Sequence, residues 1–437
     1  MGYPHPSHQR ETAVLSRHFG EEEARTLDGW KKRGGYQALE KALAMAPGDI
    51  VNVVKESGLR GRGGAGFPTG MKWSFMKIGD GKPHYLCCNA DESEPGTFKD
   101  REVMRWTPHA LIEGCAIGSY AIGAETCYIY IRGEFTEPLV VMDRAIREAY
   151  DAGILGANAM GTGKRIDVHI HKGAGAYICG EETALMESIE GRRGNPRIKP
   201  PFPAVAGVFE QPTTINNVET LAAVPEILMR GAEWYKGMSL SNPKSTGTKL
   251  FSVCGNIRRP GTYEVVMGFP FGEFLHDVCG GGIDRRKLKA VIPGGASVPI
   301  QTMAEAEATL MDYEGFVAQG SMLGSGGVIV IDEKQSMVRV IARLARFFAH
   351  ESCGQCTQCR EGTAWTTKIV ERIRDGQGTM EDLDTLHSIA DNMTGTTICV
   401  LSDSCAVPVV SGIKKFRSEF EALIHGKRVH AVLSQVA

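Results

Sequence analysis

The sequence predicts a chain of three parts: an α/β domain in residues 1–240, a small mixed β-sheet in residues 241–335, and a bundle of helices in residues 336–437. Strand-like runs alternate with helical stretches as far as Trp234, which is typical of a parallel sheet. A polar, turn-rich segment at 239–248 then leads into short strands separated by glycine-rich turns. Beyond Ser336, apolar residues recur at the spacing of one buried helix face.

The first domain is predicted to be Rossmann-like. Its strands are expected at 85–91, 127–132 and 167–171, and the helices between them at 108–121 and 138–150. Because each strand is followed by a helix, the strands should pair in parallel and carry helices on the faces of the sheet. Ligands of such sheets bind at the carboxyl ends of the strands.

The middle part is predicted to have strands at 250–254, 262–266 and 328–331, with one helix near 271–278. The last part is predicted to be a four-helix bundle. Its first helix starts at Met337, its third is entered through Thr379 with Asp382 placed for a capping box, and its fourth contains Ile413 and Phe420. Cysteines fall in two of the connecting loops of the bundle.

Cys353, Cys356 and Cys359 have the spacing C-x2-C-x2-C, and Cys399 follows at a distance. Three thiolates around one tight loop with a remote fourth are typical of a [4Fe-4S] cluster. Zinc is the alternative metal, although structural zinc sites usually present their cysteines as two pairs. Cys405 is the one rival to Cys399 as the fourth ligand.

The composition is that of a globular protein: 42% of the 437 residues are hydrophobic, 23% are charged, and the net charge is −2. This balance gives no indication of a nucleic-acid partner. Twelve cysteines without a secretory start predict a reducing compartment, and so a cytoplasmic protein. Residues 1–7 contain no targeting signal, and no apolar run approaches the ~18 residues of a membrane span, so we expect no direct membrane insertion.

A glycine-rich loop at 61–66 satisfies G-x-G-x-x-G, but the segment before it, 49–56, is no clear strand. The usual dinucleotide fingerprint is therefore not indicated. Its glycines still let backbone N–H groups approach an anion, and Arg60, Arg62 and Lys72 add positive charge. The loop is predicted either to hold a phosphate of a cofactor or to be a plain turn.

Three further segments have the character of ligand loops. The first strand opens into an acidic loop at 89–96, whose carboxylates suit hydroxyl and N–H groups or a divalent metal. The segment 173–183 leads into a helix at Glu181, and the segment 213–220 presents two adjacent amides. Phe67, Phe75 and Phe202 could stack an adenine ring. Solvated turns, helix caps and core aromatics are the alternatives for these segments.

Four strings, at 59–70, 88–96, 173–183 and 351–362, resemble in their order the FMN- and NADH-binding flavoprotein subunit of respiratory complex I, the NADH:quinone oxidoreductase. The resemblance covers nearly the whole chain. It implies a β-grasp middle domain of the soluble-ligand-binding type and a [4Fe-4S] cluster held by Cys353, Cys356, Cys359 and Cys399. It also implies that FMN contacts Gly61, Arg62, Gly63, Gly64, Lys72, Asn89, Asp91, Glu92, Ser93, Tyr177, Gly180, Glu181, Asn216, Asn217 and Thr220.

The same resemblance implies a place for NADH. The nicotinamide would stack on the flavin near Glu182, the adenine would lie against Phe67, Phe75 and Phe202, and Lys199 and Glu94 would meet the ribose and phosphate region. An acid at Glu94 would repel a 2′-phosphate and so favour NADH over NADPH. Glu92 and Glu182 are the residues expected to take part in catalysis.

The implied function is NADH dehydrogenation: a hydride passes to FMN, and single electrons pass to the cluster and on towards quinone. The implied partners are a thioredoxin-like [2Fe-2S] subunit and a large multi-cluster iron–sulfur subunit, which would hold the chain at the periphery of the inner membrane. One alternative is the diaphorase subunit of an NAD-reducing hydrogenase or of an NAD-dependent formate dehydrogenase. The other is a non-catalytic zinc or iron–sulfur scaffold.

Overall fold

A computed structural model of the chain describes residues 8–426. Residues 1–7, where no targeting signal is predicted, and residues 427–437, the end of the predicted helical part, lie outside the described residues. Within 8–426, no helix is both long enough and apolar enough to cross a membrane.

The first sheet has four parallel strands in the order β3-β2-β1-β4. The strands are β1 (Tyr85–Ala90), β2 (Thr126–Ile131), β3 (Asp167–Lys172) and β4 (Thr213–Asn217). The three predicted strands are present with shifts of one residue at their ends. β4 was predicted as a loop, and this was wrong because its threonines and asparagines lack the apolar pattern of a buried strand.

Ten helices precede, connect or follow these strands. They are α1 (Leu27–Lys32), α2 (Gln37–Leu43), α3 (Pro47–Glu56), α4 (Thr69–Trp73), α5 (Lys99–Trp106), α6 (Pro108–Ala121), α7 (Thr136–Asp151), α8 (Glu182–Ile189), α9 (Val218–Arg230) and α10 (Ala232–Lys236). The glycine-rich loop therefore follows a helix, α3, as the absence of a strand pattern at 49–56 indicated.

Both faces of the first sheet are covered. Alternate residues of β1 face opposite sides, so Leu86, Cys88 and Ala90 join the core that contains α6 and α9, whereas Cys87 joins the core that contains α8 and the C-terminal helices. The sheet thus lies between its own helices and the cysteine-bearing part of the chain.

The second sheet has five strands in the order β6-β5-β9-β7-β8, and only the β5–β9 pair is parallel. Its elements are β5 (Thr248–Gly255), β6 (Gly261–Val266), α11 (Phe271–Glu273), β7 (Leu288–Ile292), β8 (Gln301–Thr302), α12 (Met303–Glu307), α13 (Tyr313–Ala318) and β9 (Gly327–Asp332). The predicted helix near 271–278 is α11 followed by a π-helical turn, Phe274–Val278. Strands β7 and β8 were not predicted.

Four helices that contact one another form the C-terminal region: α14 (Met337–Glu351), α15 (Thr357–Arg374), α16 (Met380–Met393) and α17 (Leu401–Ile424). The predicted capping box is present, with the Thr379 and Asp382 side chains each accepting from the other's backbone N–H. The predicted α/β region with a parallel sheet and the helical C-terminal region are both confirmed.

The N-terminal arm of the chain is fastened to the second sheet. Glu264 of β6 accepts hydrogen bonds from the backbone N–H groups of Val14, Leu15 and Ser16, at 2.8, 3.1 and 2.9 Å. The carboxylate is fully buried, so these bonds replace its hydration. The arm is therefore fixed to β6 of the second sheet.

Candidate functional site

The order of the first sheet creates a crevice between β1 and β4. The chain builds β2 and β3 on one side of β1 and then crosses to place β4 on the other side. Cys88 and Asn89 of β1 are in register with Asn216 and Asn217 of β4. Ligands of open α/β sheets bind outside the carboxyl ends of the strands at such a reversal.

The acidic loop after β1 places a free carboxylate oxygen in this crevice. Asp91 Oδ1 accepts from Ser93 Oγ at 3.0 Å, whereas the buried Oδ2 has no hydrogen-bond partner among the described residues. Burial raises the pKa of Asp91 to about 7. An unsatisfied buried acceptor of this kind fits a ligand that donates a hydrogen bond.

Glu92, in contrast, is used inside the protein. Its two carboxylate oxygens accept from the backbone N–H groups of Asp100 and Arg101, at 2.8 and 3.0 Å, in the first turn of α5. Burial raises its pKa to about 8. Glu92 thus caps a helix that begins seven residues later in the chain. Its contact with FMN and its part in catalysis stay predictions.

The glycine loop borders the crevice on the side of β4. The Arg62 N–H donates to Thr220 Oγ1 at 2.8 Å, and the Gly61 carbonyl accepts from Tyr313 Oη at 2.8 Å. A Cβ at Gly63 would lie 3.1 Å from Asn217 Cβ, so a side chain there would crowd β4. The loop is thereby held against both the first sheet and α13.

The Arg62 guanidinium does not add charge to the loop surface. The side chain is 1% exposed and donates to Tyr235 Oη and the Thr246 carbonyl, at 3.0 and 2.6 Å. The charge of Arg62 is therefore buried beneath the loop, and its contact with FMN stays a prediction. The Gly61 and Arg62 N–H groups are already bonded, to the Phe67 carbonyl and to Thr220 Oγ1, so the N–H groups of residues 63–66 are the candidates for binding an anion.

The segment Tyr177–Gly180 closes the crevice from the other side. Asn89 Nδ2 donates to the Gly180 carbonyl at 2.8 Å, and a Cβ at Gly180 would lie 3.3 Å from Asp91 Oδ2. Tyr177 Oη donates to Glu94 Oε2 at 2.7 Å. Glu181 caps α8 through the Thr183 and Ala184 N–H groups, as the capping alternative predicted.

A charged group lies at the mouth of the crevice. Glu182 is 3.5 Å from Lys72 Nζ and 2.9 Å from Lys199 Nζ. Burial alone would raise the pKa of Glu182, but the two lysines outweigh burial and lower it. Glu182 is therefore a carboxylate at neutral pH, and the lysines are partly neutralised.

The aromatic residues predicted for adenine stacking are on the surface. Phe67 and Phe75 have ring centroids 6.2 Å apart and are 43% and 52% exposed. Phe202 is 59% exposed. Exposed phenyl rings of this size that have no core role are suited to a flat ring of a ligand.

The predicted amide residues are bound within the protein. Asn216 Oδ1 accepts from Trp73 Nε1 at 2.8 Å, and Asn217 caps α9 while its Nδ2 donates to Asp100 Oδ2 at 2.6 Å. These bonds fix the end of β4. None of the hydrogen bonds described for these two residues involves Asn216 Nδ2, so this amide group can donate to a ligand.

Below the crevice lies a buried charge cluster that the sequence did not reveal. Glu219 lies 2.8 Å from Lys99 Nζ and 3.0 Å from Lys249 Nζ, and Lys99 also pairs with Asp100 at 2.7 Å. Lys249 Nζ is 3.4 Å from the Arg62 carbonyl. A lysine of the second sheet thus supports the glycine loop of the first. The one feature of the sequence that could have indicated this cluster is Glu219 itself, an acid in the first turn of α9.

The cysteines form a second site. Cys353, Cys356, Cys359 and Cys399 line one small cavity together with Ile178 and Pro196, whereas Cys405 is fully buried in α17 and does not line it. Ser352 Oγ is 3.2 Å from Cys359 Sγ. Among residues 8–426, no three His, Cys, Asp or Glu side chains are already grouped at metal-binding distance.

Comparison with known proteins assigns both sites to one family. Residues 54–226 match the Nuo51 FMN-binding domain, and residues 339–423 match the NADH-ubiquinone oxidoreductase-F iron–sulfur binding region. The chain is 52% identical over 416 residues to an NADH-quinone oxidoreductase F subunit of Rhizobium meliloti (strain 1021), covering 95% of this chain and 98% of that protein. The chain belongs to the family of NADH-quinone oxidoreductase F subunits. The F subunit of Streptomyces coelicolor is 51% identical, over 95% of this chain and 91% of that protein.

A solved structure is similar to this chain over most of this chain's length. The crystal structure of NAD+-reducing [NiFe]-hydrogenase in the air-oxidized state is 36% identical, with a TM-score of 0.81, over 95% of this chain and 67% of that chain. The H2-reduced state of the same type of enzyme gives a TM-score of 0.82 at 35% identity. The mixed α/β fold with its helical C-terminal region is therefore shared with a hydrogenase subunit.

As a member of the NADH-quinone oxidoreductase F family, the chain is an oxidoreductase with FMN and a [4Fe-4S] cluster as cofactors and NADH as substrate. The residues of the structure fit both cofactors. In the crevice, backbone N–H groups can bind a phosphate, and the unpaired Asp91 Oδ2 can accept from a polar ring. The cavity offers four thiols among apolar groups to a cluster.

Proposed function

We propose that this chain oxidises NADH in the crevice between β1 and β4 and delivers the electrons to a cluster in the cysteine cavity. Bound FMN supplies the chemistry that joins a two-electron donor to a one-electron acceptor. The protein holds both cofactors, keeps them close, and orients NADH against the flavin.

The wall between the two sites carries this proposal. On one side, the segment Tyr177–Gly180 borders the crevice through the bonds of Gly180 and Tyr177 to Asn89 and Glu94. On the other side, Ile178 of the same segment lines the cavity of the four cysteines. Tyr177 also packs edge-on against Phe347, 5.1 Å away, on the helix that leads to Cys353. One short segment therefore separates the two sites.

Within the crevice, we assign the flavin to the glycine loop, Asp91, Ser93, Asn89 and Gly180. Lys72 and Glu182, at the mouth, would orient the nicotinamide through hydrogen bonds. Glu182 is the residue we keep as a candidate for direct contact with the reacting groups, because its carboxylate is charged and near the opening. Glu92 is assigned as a positioning residue, since both its oxygens are bonded to α5.

For the rest of NADH, we assign the adenine to Phe67, Phe75 and Phe202, and the ribose and phosphate region to Lys199 and Glu94. The exposure of the three rings and the charge of Lys199 support this assignment. For the cluster, we assign Cys353, Cys356, Cys359 and Cys399 as ligands, supported by the shared cavity.

We also propose the finer fold and context of the chain. The strand order of the first sheet supports a Rossmann-like domain, the mixed second sheet with α12 and α13 a β-grasp domain, and the contacts of α14–α17 a four-helix bundle. In the assembled complex, the chain would join a thioredoxin-like [2Fe-2S] subunit and a large multi-cluster iron–sulfur subunit. Those partners would place it at the cytoplasmic face of the inner membrane and pass the electrons to quinone.

An anaerobic titration of the purified chain with NADH tests the proposal. Flavin released by acid, iron and zinc are measured on the same sample. We expect one FMN and about four irons per chain, loss of flavin absorbance on adding NADH, and an EPR signal of a reduced cluster. A chain that contains zinc without flavin and does not respond to NADH would overturn the proposal and leave a scaffold.

A diaphorase role in a hydrogenase-type complex is the second candidate, because of the similarity to the NAD+-reducing [NiFe]-hydrogenase. Purification of the native assembly through a tag on this chain separates the two. NADH-dependent reduction of a quinone favours the quinone-linked complex. Reduction of NAD+ by H2 in the same preparation would favour the hydrogenase-linked one.

A further inference from the structure

A basic hollow lies on the second sheet, and none of its lining residues belongs to the crevice or to the cysteine cavity. It consists of two adjoining depressions of about 710 and 420 Å3, and Arg258 and Arg285 line both. The segment 279–287, between the π-helical turn and β7, forms much of its surface. Depressions of this volume are in the range of small-molecule sites.

The charges of the hollow are unbalanced. Arg258, Arg285 and Lys287 are exposed, and none of them has a carboxylate within 4.0 Å among residues 8–426. Arg286, between two of them, is in contrast paired with Asp284 and Asp332, each at 3.2 Å. Two carboxylates also line the hollow: Asp284 in the larger depression and Glu307, 3.4 Å from His276 Nε2, in the smaller. Arg258, Arg285, Arg286 and Lys287 outnumber them, so the local field attracts anions.

The backbone of the same segment is strained. Asp284 and Arg285 are consecutive non-glycine residues in the left-handed region, with φ of 52° and 61°. The segment follows directly on the π-helical turn Phe274–Val278, whose His276 lines the smaller depression. Left-handed non-glycine residues and π-helical turns both concentrate at functional sites.

We propose that the basic hollow binds an organic phosphate. Arg258, Arg285 and Lys287 would contact the phosphate oxygens. Ile283 and Met303, which line the depressions beside the cations, would contact the organic part. A broad acidic protein surface would leave two depressions of this size unfilled, and this favours a small ligand over a protein partner.

Calorimetric titration of the FMN-saturated full chain with pyrophosphate and with ATP tests the proposal. Both probes should bind. Binding should weaken at least about tenfold in Arg258→Gln/Arg285→Gln and in Lys287→Gln, because each loses charge-assisted hydrogen bonds. Arg147→Gln, an exposed arginine on α7, is the matched control and should bind as the wild type does. NADH oxidation should be equal in all four proteins.

Two further measurements identify the source of the phosphate. If vesicles containing phosphatidic acid retain the wild type but not the double variant, the phosphate is a lipid headgroup. If ATP binds and the vesicles do not, it is a soluble organic phosphate. The proposal is overturned if neither probe binds, if the double variant binds both probes unchanged, or if poly-glutamate binds where pyrophosphate does not.

Discussion

Tyr177 Oη donates a hydrogen bond of 2.7 Å to Glu94 Oε2, and the other oxygen of the same carboxylate accepts from the Ser297 N–H at 2.7 Å. Glu94 thus joins the loop after β1, the segment before α8 and a loop of the second sheet. Burial raises its pKa, and the two hydrogen bonds oppose that rise. The carboxylate is fixed in orientation rather than free to turn.

Replacing this carboxylate tests its assigned role in choosing NADH. In Glu94→Gln, kcat/KM for NADPH should rise about tenfold relative to that for NADH, because the acid no longer repels a 2′-phosphate. Steady-state kinetics with both nucleotides measure the ratio. Glu233→Gln, an exposed acid on α10, is the control. An unchanged ratio in Glu94→Gln would remove this role from Glu94.

Asp91 should make the stability of the FMN-free chain depend on pH. Because its pKa is raised to about 7, the folded chain holds a proton between about pH 4 and 7 that the unfolded chain has lost. Its stability contribution is therefore present at low pH and is lost as the pH rises through 7. Between about pH 4 and 7, the free energy of unfolding of Asp91→Asn should rise by roughly 1–3 kcal/mol relative to that of the wild type, and above about pH 7 the difference should stay constant. Urea unfolding at several pH values measures this, and a difference independent of pH would contradict it.

The choice between Cys399 and Cys405 can be settled by a matched pair of variants. Cys399→Ala should lose the cluster, because it removes a thiol that lines the cavity, whereas Cys405→Ala should keep about four irons. Iron and acid-labile sulfide are measured after anaerobic reconstitution. FMN content should be equal in both variants. The reverse pattern of iron loss would make Cys405 the ligand.

The buried charge cluster should be important for stability. Lys249→Met leaves Glu219 buried with one lysine fewer, so the free energy of unfolding should fall by about 2–4 kcal/mol. Lys236→Met, on the surface of α10, should change it by less than about 0.5 kcal/mol. Removing both charges in Lys249→Met/Glu219→Gln should restore part of the loss. Equal, small effects of Lys249→Met and Lys236→Met would show that the cluster contributes little.

The sequence predicted well those features that local patterns determine. Helix α6 has the predicted limits, since Pro108 is suited to a first helical turn, and α16 has the predicted capping box. The cysteine loop was visible because three of its thiols lie within seven residues of one another. The family resemblance added the assignment of the crevice.

Features that depend on distant partners were not visible. Strand β4 is polar and its sequence predicts a loop, because it forms a strand only through its pairing with β1. Glu92 caps a helix that begins beyond the next turn, and the Arg62 guanidinium donates hydrogen bonds to groups more than 170 residues away in the chain. Lysine is usually a surface residue, so the sequence does not indicate that Lys99 and Lys249 are buried. Their burial follows from the partners that the fold brings to them.

The fastening of the N-terminal arm by Glu264 has a consequence for the order in which the chain can fold during synthesis. Ser16 and its acceptor are 248 positions apart, so the arm leaves the ribosome long before its anchor exists. Until β6 has been translated, the N–H groups of Val14, Leu15 and Ser16 lack their native acceptor. The first sheet can form with the arm undocked, since domains generally fold as units from the N-terminus. The docking of the arm is therefore a late event that cannot precede the synthesis of β6.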